Sequence, residues 1–121
     1  SLFIEPVPIQ VAAAAQLGAP VIELHVGAYC DAEDEAAKEL HYQRIVDAAE
    51  RADQLGLECH AGHGISFETV GPIAAIPSLM ELNIGHFLIG EAIYVGLADT
   101  IKEMRRRMDV ARAIAVTERA S

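Results

Sequence analysis

Short apolar runs alternate with longer amphipathic stretches along the chain, and the alternation repeats four times. The apolar runs lie at residues 2–4, 21–26, 57–61 and 82–84, and each is followed by a turn and a segment with helical spacing. Strands that are separated by helices pair in parallel, because the connecting helix returns the chain to the same end of the sheet. The pattern therefore predicts an α/β fold built from four βα units, and about 30 residues per unit fits either a small doubly wound sheet or half of an eight-fold barrel.

The helices are predicted where apolar residues recur at helical spacing. They lie at about residues 9–17, 34–55, 67–70 and 86–95, and a final amphipathic helix is predicted at about 97–115. Gly18 and Gly56 are typical helix stops, whereas Gly71 and Pro72 are expected to interrupt the third helix. The packed face of the long second helix is predicted to carry Leu40, Ile45, Val46, Ala49, Ala52 and Leu55.

Composition and charge exclude several classes of protein. With 121 residues, of which 52% are apolar and 22% charged, the chain has enough hydrophobic material for one packed domain. A net charge of −9 argues against a general binder of nucleic acid or of anionic membranes. The longest apolar runs, at 11–15 and 73–76, are far shorter than the roughly 20 residues that span a bilayer. Since neither a secretory signal nor an initiator methionine is present, we expect a cytoplasmic protein and a processed or partial chain.

Two smaller features are expected to be structural. The basic cluster at 105–107 lies in the final predicted helix and should form a solvated helix face. Cys30 and Cys59 lack the CxxC spacing, and neither has a basic neighbour or a predicted helix start that would activate a thiolate. We therefore expect two free thiols that pack or fill loops.

Polar and titratable residues gather where each predicted strand ends. Because the carboxyl ends of parallel strands meet at one edge, where α/β proteins bind ligands, these residues are expected to converge on one site. Any one of them, taken singly, could instead satisfy a loop backbone or face solvent. The set comprises Glu5, Glu23, His25, His60, His63, Asn83 and His86.

Glu23 and His63 are the strongest catalytic candidates in this set. Glu23 lies within an apolar strand, where a buried carboxylate is costly unless it is paired, and it could transfer protons or stabilise a developing cation. A solvent-facing position, or a pair with a neighbouring histidine, is the alternative. His63 lies between two glycines, which lets a ligand approach an imidazole that can act as a general acid or base near neutral pH.

A phosphate site is predicted at Gly85 and His86. They come directly before a predicted helical run, and the N–H groups at a helix N-terminus bind phosphate. A metal site at His60 and His63 is an alternative, but strand alternation puts these two side chains on opposite faces. We therefore predict no metal site.

Several strings together resemble the C-terminal half of the pyridoxine 5'-phosphate synthases. They are SLFI at 1–4, GAPVIELHVGAY at 18–29, AGHG at 61–64, PIAAIP at 72–77 and ELNIGH at 81–86, in this order and spacing. The resemblance covers nearly the whole chain, up to about Met108. It implies a homo-oligomeric TIM barrel of about 250 residues. Residues 1–121 would be a partial barrel domain, the C-terminal half of a TIM (β/α)8 barrel, with four parallel βα units plus a C-terminal helix.

The resemblance also implies a reaction and roles for particular residues. The reaction condenses 1-deoxy-D-xylulose 5-phosphate with 3-amino-2-oxopropyl phosphate, closes the pyridine ring and releases phosphate and water, without a metal or an organic cofactor. Glu23 matches a glutamate that is thought to stabilise charge in the transition state, and His63 matches the proton donor. Gly64, Gly85 and His86 match residues that bind substrate and product.

Two positions depart from the family pattern, and part of the pattern is absent. His60 stands where the family commonly has Asn, and Glu91 stands where it often has a basic residue. The remaining catalytic groups of the family, a histidine and a glutamate acting as bases together with basic phosphate ligands, lie in the first half of the barrel. We therefore expect this chain to need a missing N-terminal half and to be inactive alone. The alternatives are a non-catalytic phosphate-binding or assembly module derived from the same barrel, and a metal-dependent hydrolase using His60 and His63.

Overall fold

A four-stranded parallel sheet with helices on one face forms the fold, and a computed structural model describes residues 1–120 of it. The strands are β1 (Leu2–Ile4), β2 (Val21–His25), β3 (Glu58–Gly62) and β4 (Leu79–Asn83), in the spatial order β1-β2-β3-β4. The helices are α1 (Pro8–Gln16), α2 (Gly27–Asp31), α3 (Glu35–Gln54), α4 (Val70–Ala74), α5 (His86–Val95) and α6 (Leu97–Ala120). The predicted α/β class is confirmed, and the arrangement is that of half a TIM barrel.

The hydrophobic core lies between the helices and one face of the sheet. Ile22 and Leu24 of β2 and Ala61 of β3 are fully buried there against α1, α3, α4 and α6. Residues that alternate with them point to the opposite face, because successive side chains on a strand alternate. We call this the inner face; its central row is Phe3, Glu23, His60 and Glu81, which occupy paired positions on the four strands.

The ends of α3 follow from its sequence. The carboxylate of Asp34 accepts a hydrogen bond from the N–H of Ala37 at 3.0 Å and caps the first turn. Arg51 lies in the last turn, where a positive charge interacts favourably with the helix dipole. Gly56, at φ +77°, then takes the left-handed conformation that ends the helix. The predicted extent of this helix, about 34–55, is confirmed.

The packed face of α3 is narrower than predicted. Ile45, Ala49 and Ala52 are buried as expected, together with Ala48. The prediction was wrong for Leu40, which is 54% exposed, because α3 packs on the core mainly through its C-terminal half.

Three helices differ from the prediction. The third predicted helix lies at Val70–Ala74 instead of 67–70. Pro72 does not interrupt it, because the N–H groups of the first turn have no partner within a helix. The loop predicted after the second strand contains the short helix α2, and α6 continues past residue 115 to Ala120.

β4 begins at Leu79, three residues before the predicted run 82–84, and it contains a bulge that hides its alternation in the sequence. Cys59 and His60, which are consecutive on β3, pair with Leu79 and Glu81, so Met80 is an extra residue on β4. Leu79 is buried and Leu82 packs against the same core, although alternation alone would place residues three apart on opposite faces. The bulge therefore turns Glu81 and Asn83 toward the inner face.

Helix α5 is apolar but packs little of its surface. None of its residues is buried, and Ile93 and Tyr94 are 79% and 83% exposed. It contacts α6 and leads away from the end of β4. No helix among residues 1–120 is both long and apolar enough to cross a membrane.

Candidate active site

A cavity of about 460 Å³ opens where β3 and β4 end. His63 and Gly64 line one side of it, and Gly85 and His86 line the other. The structure therefore brings together four of the five residues singled out from the sequence. Glu23 does not line this cavity. Asn83 does, and its side chain donates a hydrogen bond to Glu23.

His63 is the residue with the most constrained geometry at this cavity. Its backbone has φ +81°, in the left-handed region that residues other than glycine seldom adopt, and Gly64 follows at φ +86°. The two left-handed residues turn the chain sharply after β3 and direct the imidazole toward His25. Uncommon backbone conformations of this kind cluster at functional sites.

His25 supports His63 by stacking on it. The two ring centroids are 4.3 Å apart with planes inclined by 30°, and Phe3 contacts the far side of His25 at 5.1 Å. The Nδ1 atom of His25 accepts a hydrogen bond from the N–H of Gly27 at 3.2 Å. These two contacts hold the ring of His25 in place beside His63.

The side chains of His25, His63 and Glu23 occupy space that is free only because Gly27 and Gly62 have no Cβ. A Cβ at Gly27 would lie 2.6 Å from Cε1 of His25 and 2.9 Å from Cδ2 of His63. A Cβ at Gly62 would lie 2.5 Å from Oε2 of Glu23. The sequence analysis noted Gly62 beside His63 as a turn glycine but predicted for neither Gly27 nor Gly62 that it leaves space for these side chains; the available signal was a glycine placed at or just after a strand that ends in titratable residues.

Glu23 is held on the inner face by Asn83. Nδ2 of Asn83 donates to Oε1 of Glu23 at 2.5 Å, across the space above Gly62. The expectation of a buried carboxylate was wrong, because Glu23 is only partly buried and none of the helices within residues 1–120 covers the inner face. The carboxylate is therefore both held by an amide and open to a ligand on that face.

His60 lies in a different environment from His63. Its Nε2 is 2.6 Å from Oε2 of Glu58, and its Nδ1 is 2.9 Å from Oε2 of Glu81. Although these three side chains are in contact, no group of three His, Cys, Asp or Glu side chains within residues 1–120 is placed so that it could hold a metal ion.

The two cysteines are free thiols without the environment of a nucleophile. Burial raises the pKa of Cys59 to about 12, and burial is also the main cause that raises the pKa of Cys30. A thiol nucleophile needs the opposite shift, since the thiolate is the reactive form. Cys30 instead packs against Gly64, where an added Cβ would lie 3.1 Å from the Cβ of Cys30.

The N-terminus of α5 forms the second side of the cavity. Gly85 precedes the helix and His86 is its first residue, so the unpaired N–H groups of the first turn lie beside the lining. The ring of Phe87 contacts Phe67 at 4.7 Å, and the guanidinium of Arg107 lies 4.7 Å from the ring of Phe67. The cluster at 105–107 was predicted to be solvated, but Arg107 packs against Phe67, which in turn contacts the cavity-lining Phe87.

Comparison with known proteins identifies the family. The family model described as "Pyridoxal phosphate biosynthesis protein PdxJ" matches residues 1–110. This chain belongs to the PdxJ family. The resemblance drawn from the sequence motifs is therefore confirmed.

Curated relatives of this PdxJ-family chain are named pyridoxine 5'-phosphate synthase. The protein from Rhodospirillum rubrum is 61% identical over 111 residues, which are 92% of this chain and 45% of that relative. Those from Caulobacter sp. strain K31 and Jannaschia sp. strain CCS1 are 59% and 56% identical, and each match covers 93% of this chain and 46% of the relative. The chain thus spans about half the length of these relatives and matches their C-terminal part.

Replacing Gly62 by alanine in this PdxJ-family chain should break the contact between Asn83 and Glu23 at little cost in stability. The added Cβ meets the end of the flexible Glu23 side chain, which can swing away, and lies 3.2 Å from the backbone oxygen of Asn83, which must shift slightly, so we expect the free energy of unfolding to fall by about 1 kcal/mol. The side-chain NH₂ signals of Asn83 in a ¹H–¹⁵N spectrum should shift, and urea unfolding should give the stability.

Gly71→Ala is the matched control, since a Cβ there would meet no atom within 4 Å. It should leave the Asn83 signals unchanged. Unshifted Asn83 signals in Gly62→Ala would contradict the geometry given for Glu23.

Proposed function

We propose that this chain supplies the C-terminal half of a pyridoxine 5'-phosphate synthase of vitamin B6 biosynthesis. The reaction would condense 1-deoxy-D-xylulose 5-phosphate with 3-amino-2-oxopropyl phosphate and release phosphate and water as the pyridine ring closes. The observation that carries the proposal is the single cavity shared by His63, Gly64, Gly85 and His86, in a chain of the PdxJ family.

His63 acts as the proton donor in this proposal. Imine formation, loss of water and ring closure each move protons between oxygen, nitrogen and carbon, and a positioned imidazole can supply them. Stacking on His25 orients the ring, and the hydrogen bond from Gly27 holds His25 in place beside it. Glu23 stabilises positive charge that develops on the condensing intermediates, because its carboxylate faces the open side of the sheet.

The phosphate group of substrate or product binds between Gly64 and the first turn of α5. Backbone N–H groups at a helix N-terminus favour a bound anion, and Gly85 and His86 present such groups to the cavity. Glu91 lies in the same helix but not in the cavity lining. Its negative charge therefore does not exclude phosphate from this position.

The remaining catalytic and phosphate-binding groups come from an N-terminal half-barrel in this proposal. Both substrates carry phosphate, yet the cavity lining within the described chain includes no lysine or arginine. The inner face presents the carboxylate of Glu23, which favours a basic surface opposite. We also propose that the enzyme is a homo-oligomer, since the exposed apolar surface of α5 suits a contact with another copy.

A fusion protein tests this proposal directly. The N-terminal part of the Rhodospirillum rubrum relative, up to the start of its match with this chain, would be joined ahead of Ser1. We expect the fusion to form pyridoxine 5'-phosphate from both phosphorylated substrates and the 121-residue chain alone to form none. A folded fusion without product would refute the proposed reaction.

A non-catalytic binding module is the second candidate, because the proposed phosphate site at Gly64, Gly85 and His86 lies in this chain, whereas other groups of the reaction would come from the N-terminal half-barrel. Titration of the chain with inorganic phosphate separates the two. Phosphate binding by a fusion that never turns over would favour the module, whereas turnover by the fusion would exclude it.

A further inference from the structure

The bulge at Met80 decides which side chains of β4 reach the candidate site. Without an extra residue, Met80 and Leu82 would point to the inner face, and Glu81 would enter the helix-covered core. With the bulge, Glu81 and Asn83 lie on the inner face and Leu82 joins the core. Bulges often re-aim side chains beside functional sites.

A side-chain contact lies at the first pair after the bulge. His60 and Glu81 are partners in the parallel ladder, and Nδ1 of His60 is 2.9 Å from Oε2 of Glu81. The His60 side chain is only 14% exposed, so the contact is sheltered on the histidine side. The other carboxylate on this ring, from Glu58, belongs to the same strand as His60 and cannot fix one strand against the other.

Asn83 lies two residues beyond Glu81 on the same face, and its amide holds Glu23. A one-residue shift of β4 would move Asn83 to the opposite face and release the carboxylate of Glu23. The same row of the sheet therefore links the bulge, the His60–Glu81 contact and the candidate catalytic carboxylate.

We propose that the His60–Glu81 contact is a positioning element for the candidate active site: it holds the register of β4 after the bulge and so keeps the amide of Asn83 against Glu23. His60 and Glu81 act through Asn83 and do not touch the substrate. The catalytic consequence rests on the proposed function of Glu23, whereas the structural consequence, the place of Asn83, does not depend on it.

Two alanine variants of the fusion protein distinguish the loss of the cross-strand contact from the loss of a negative charge beside His60. Glu81→Ala removes the cross-strand partner of His60, and Glu58→Ala is the matched control that removes an equal charge from the same ring. We expect Glu81→Ala to lower kcat about tenfold with little change in KM, because misplacing a catalytic group slows the chemical step. Glu58→Ala should leave kcat within about twofold. Glu81→Gln should recover most of the loss, since its carbonyl can still accept from Nδ1 of His60.

The side-chain NH₂ signals of Asn83 give a readout that is independent of turnover. In Glu81→Ala they should move toward their positions in Glu23→Ala, where the contact is absent, and in Glu58→Ala and Glu81→Gln they should stay near those of the unsubstituted protein. Unchanged Asn83 signals in Glu81→Ala, or equal effects of the two alanine variants, would overturn the proposal. An unsubstituted fusion without turnover would refute the proposed reaction, and the Asn83 signals would still decide the positioning role.

Discussion

Replacing Arg112 by alanine should lower the free energy of unfolding by about 2–4 kcal/mol, because several backbone carbonyls lose their donor together. Arg112 lies on α6, and its guanidinium donates to the carbonyl oxygens of Ala74 at 2.8 Å, Ile76 at 3.2 Å and Leu79 at 2.8 Å. These carbonyls lie at the end of α4, in the segment that follows it and at the start of β4, so the guanidinium joins α6 to all three. Urea unfolding followed by circular dichroism measures the change.

Arg105→Ala is the matched control for this experiment. Arg105 is on the same helix and pairs with Asp109 at 3.1 Å, but both side chains are well exposed, so the loss should be about 0.5 kcal/mol or less. Arg112→Lys should fall between the two, since an ammonium group cannot reproduce the planar fork of donors. If Arg112→Ala and Arg105→Ala unfold at the same urea concentration, water satisfies the carbonyls and the guanidinium is dispensable.

The role of Arg112 could not be read from the sequence, and the reason is general. Its partners lie 33 to 38 residues earlier, and only the crossing of α6 over the turn before β4 brings them together. A basic residue on an amphipathic helix predicts a solvated face, which holds for Arg105 but not for Arg107 or Arg112. Long-range side-chain contacts leave no periodic signal in the chain.

Elements with a regular pattern and a clear stop were predictable. β2 alternates buried and partly exposed residues, and α3 has a capping Asp34 and a terminal Gly56, so both were located within a residue or two. β4 was placed too late because the extra residue Met80 breaks its alternation. A bulge shifts the alternation of inward and outward side chains at one residue, and only the pairing with β3 shows which residue that is.

Some features of the candidate site were also predictable from the sequence, and others were not. His63, Gly64, Gly85 and His86 stand where strands end, so the rule that parallel strands end at one edge was enough to bring them together. Two other features depend on atomic distances between strands. They are the space left by the missing Cβ atoms of Gly27 and Gly62 and the hydrogen bond from Asn83 to Glu23. Strand order and register, which set those distances, are not encoded by any local motif.

Replacing His63 by asparagine in the fusion protein should lower kcat by about 10²- to 10⁴-fold, the usual contribution of a positioned general acid or base. Asparagine is the suitable substitution because it tolerates the left-handed backbone that His63 adopts at φ +81°, so the loop after β3 should keep its shape. It cannot exchange a proton near neutral pH. The limb of the pH profile of kcat that reports this group should therefore disappear as well.

His41→Asn is the control, because His41 is a histidine on α3 outside the cavity lining, and its removal should leave kcat unchanged. Urea unfolding of both variants separates a catalytic loss from a folding loss. If His63→Asn keeps more than about a tenth of kcat, the effect falls below that of a general acid or base. The ring of His25 would then be the next group to test, because it stacks on the imidazole of His63 with ring centroids 4.3 Å apart.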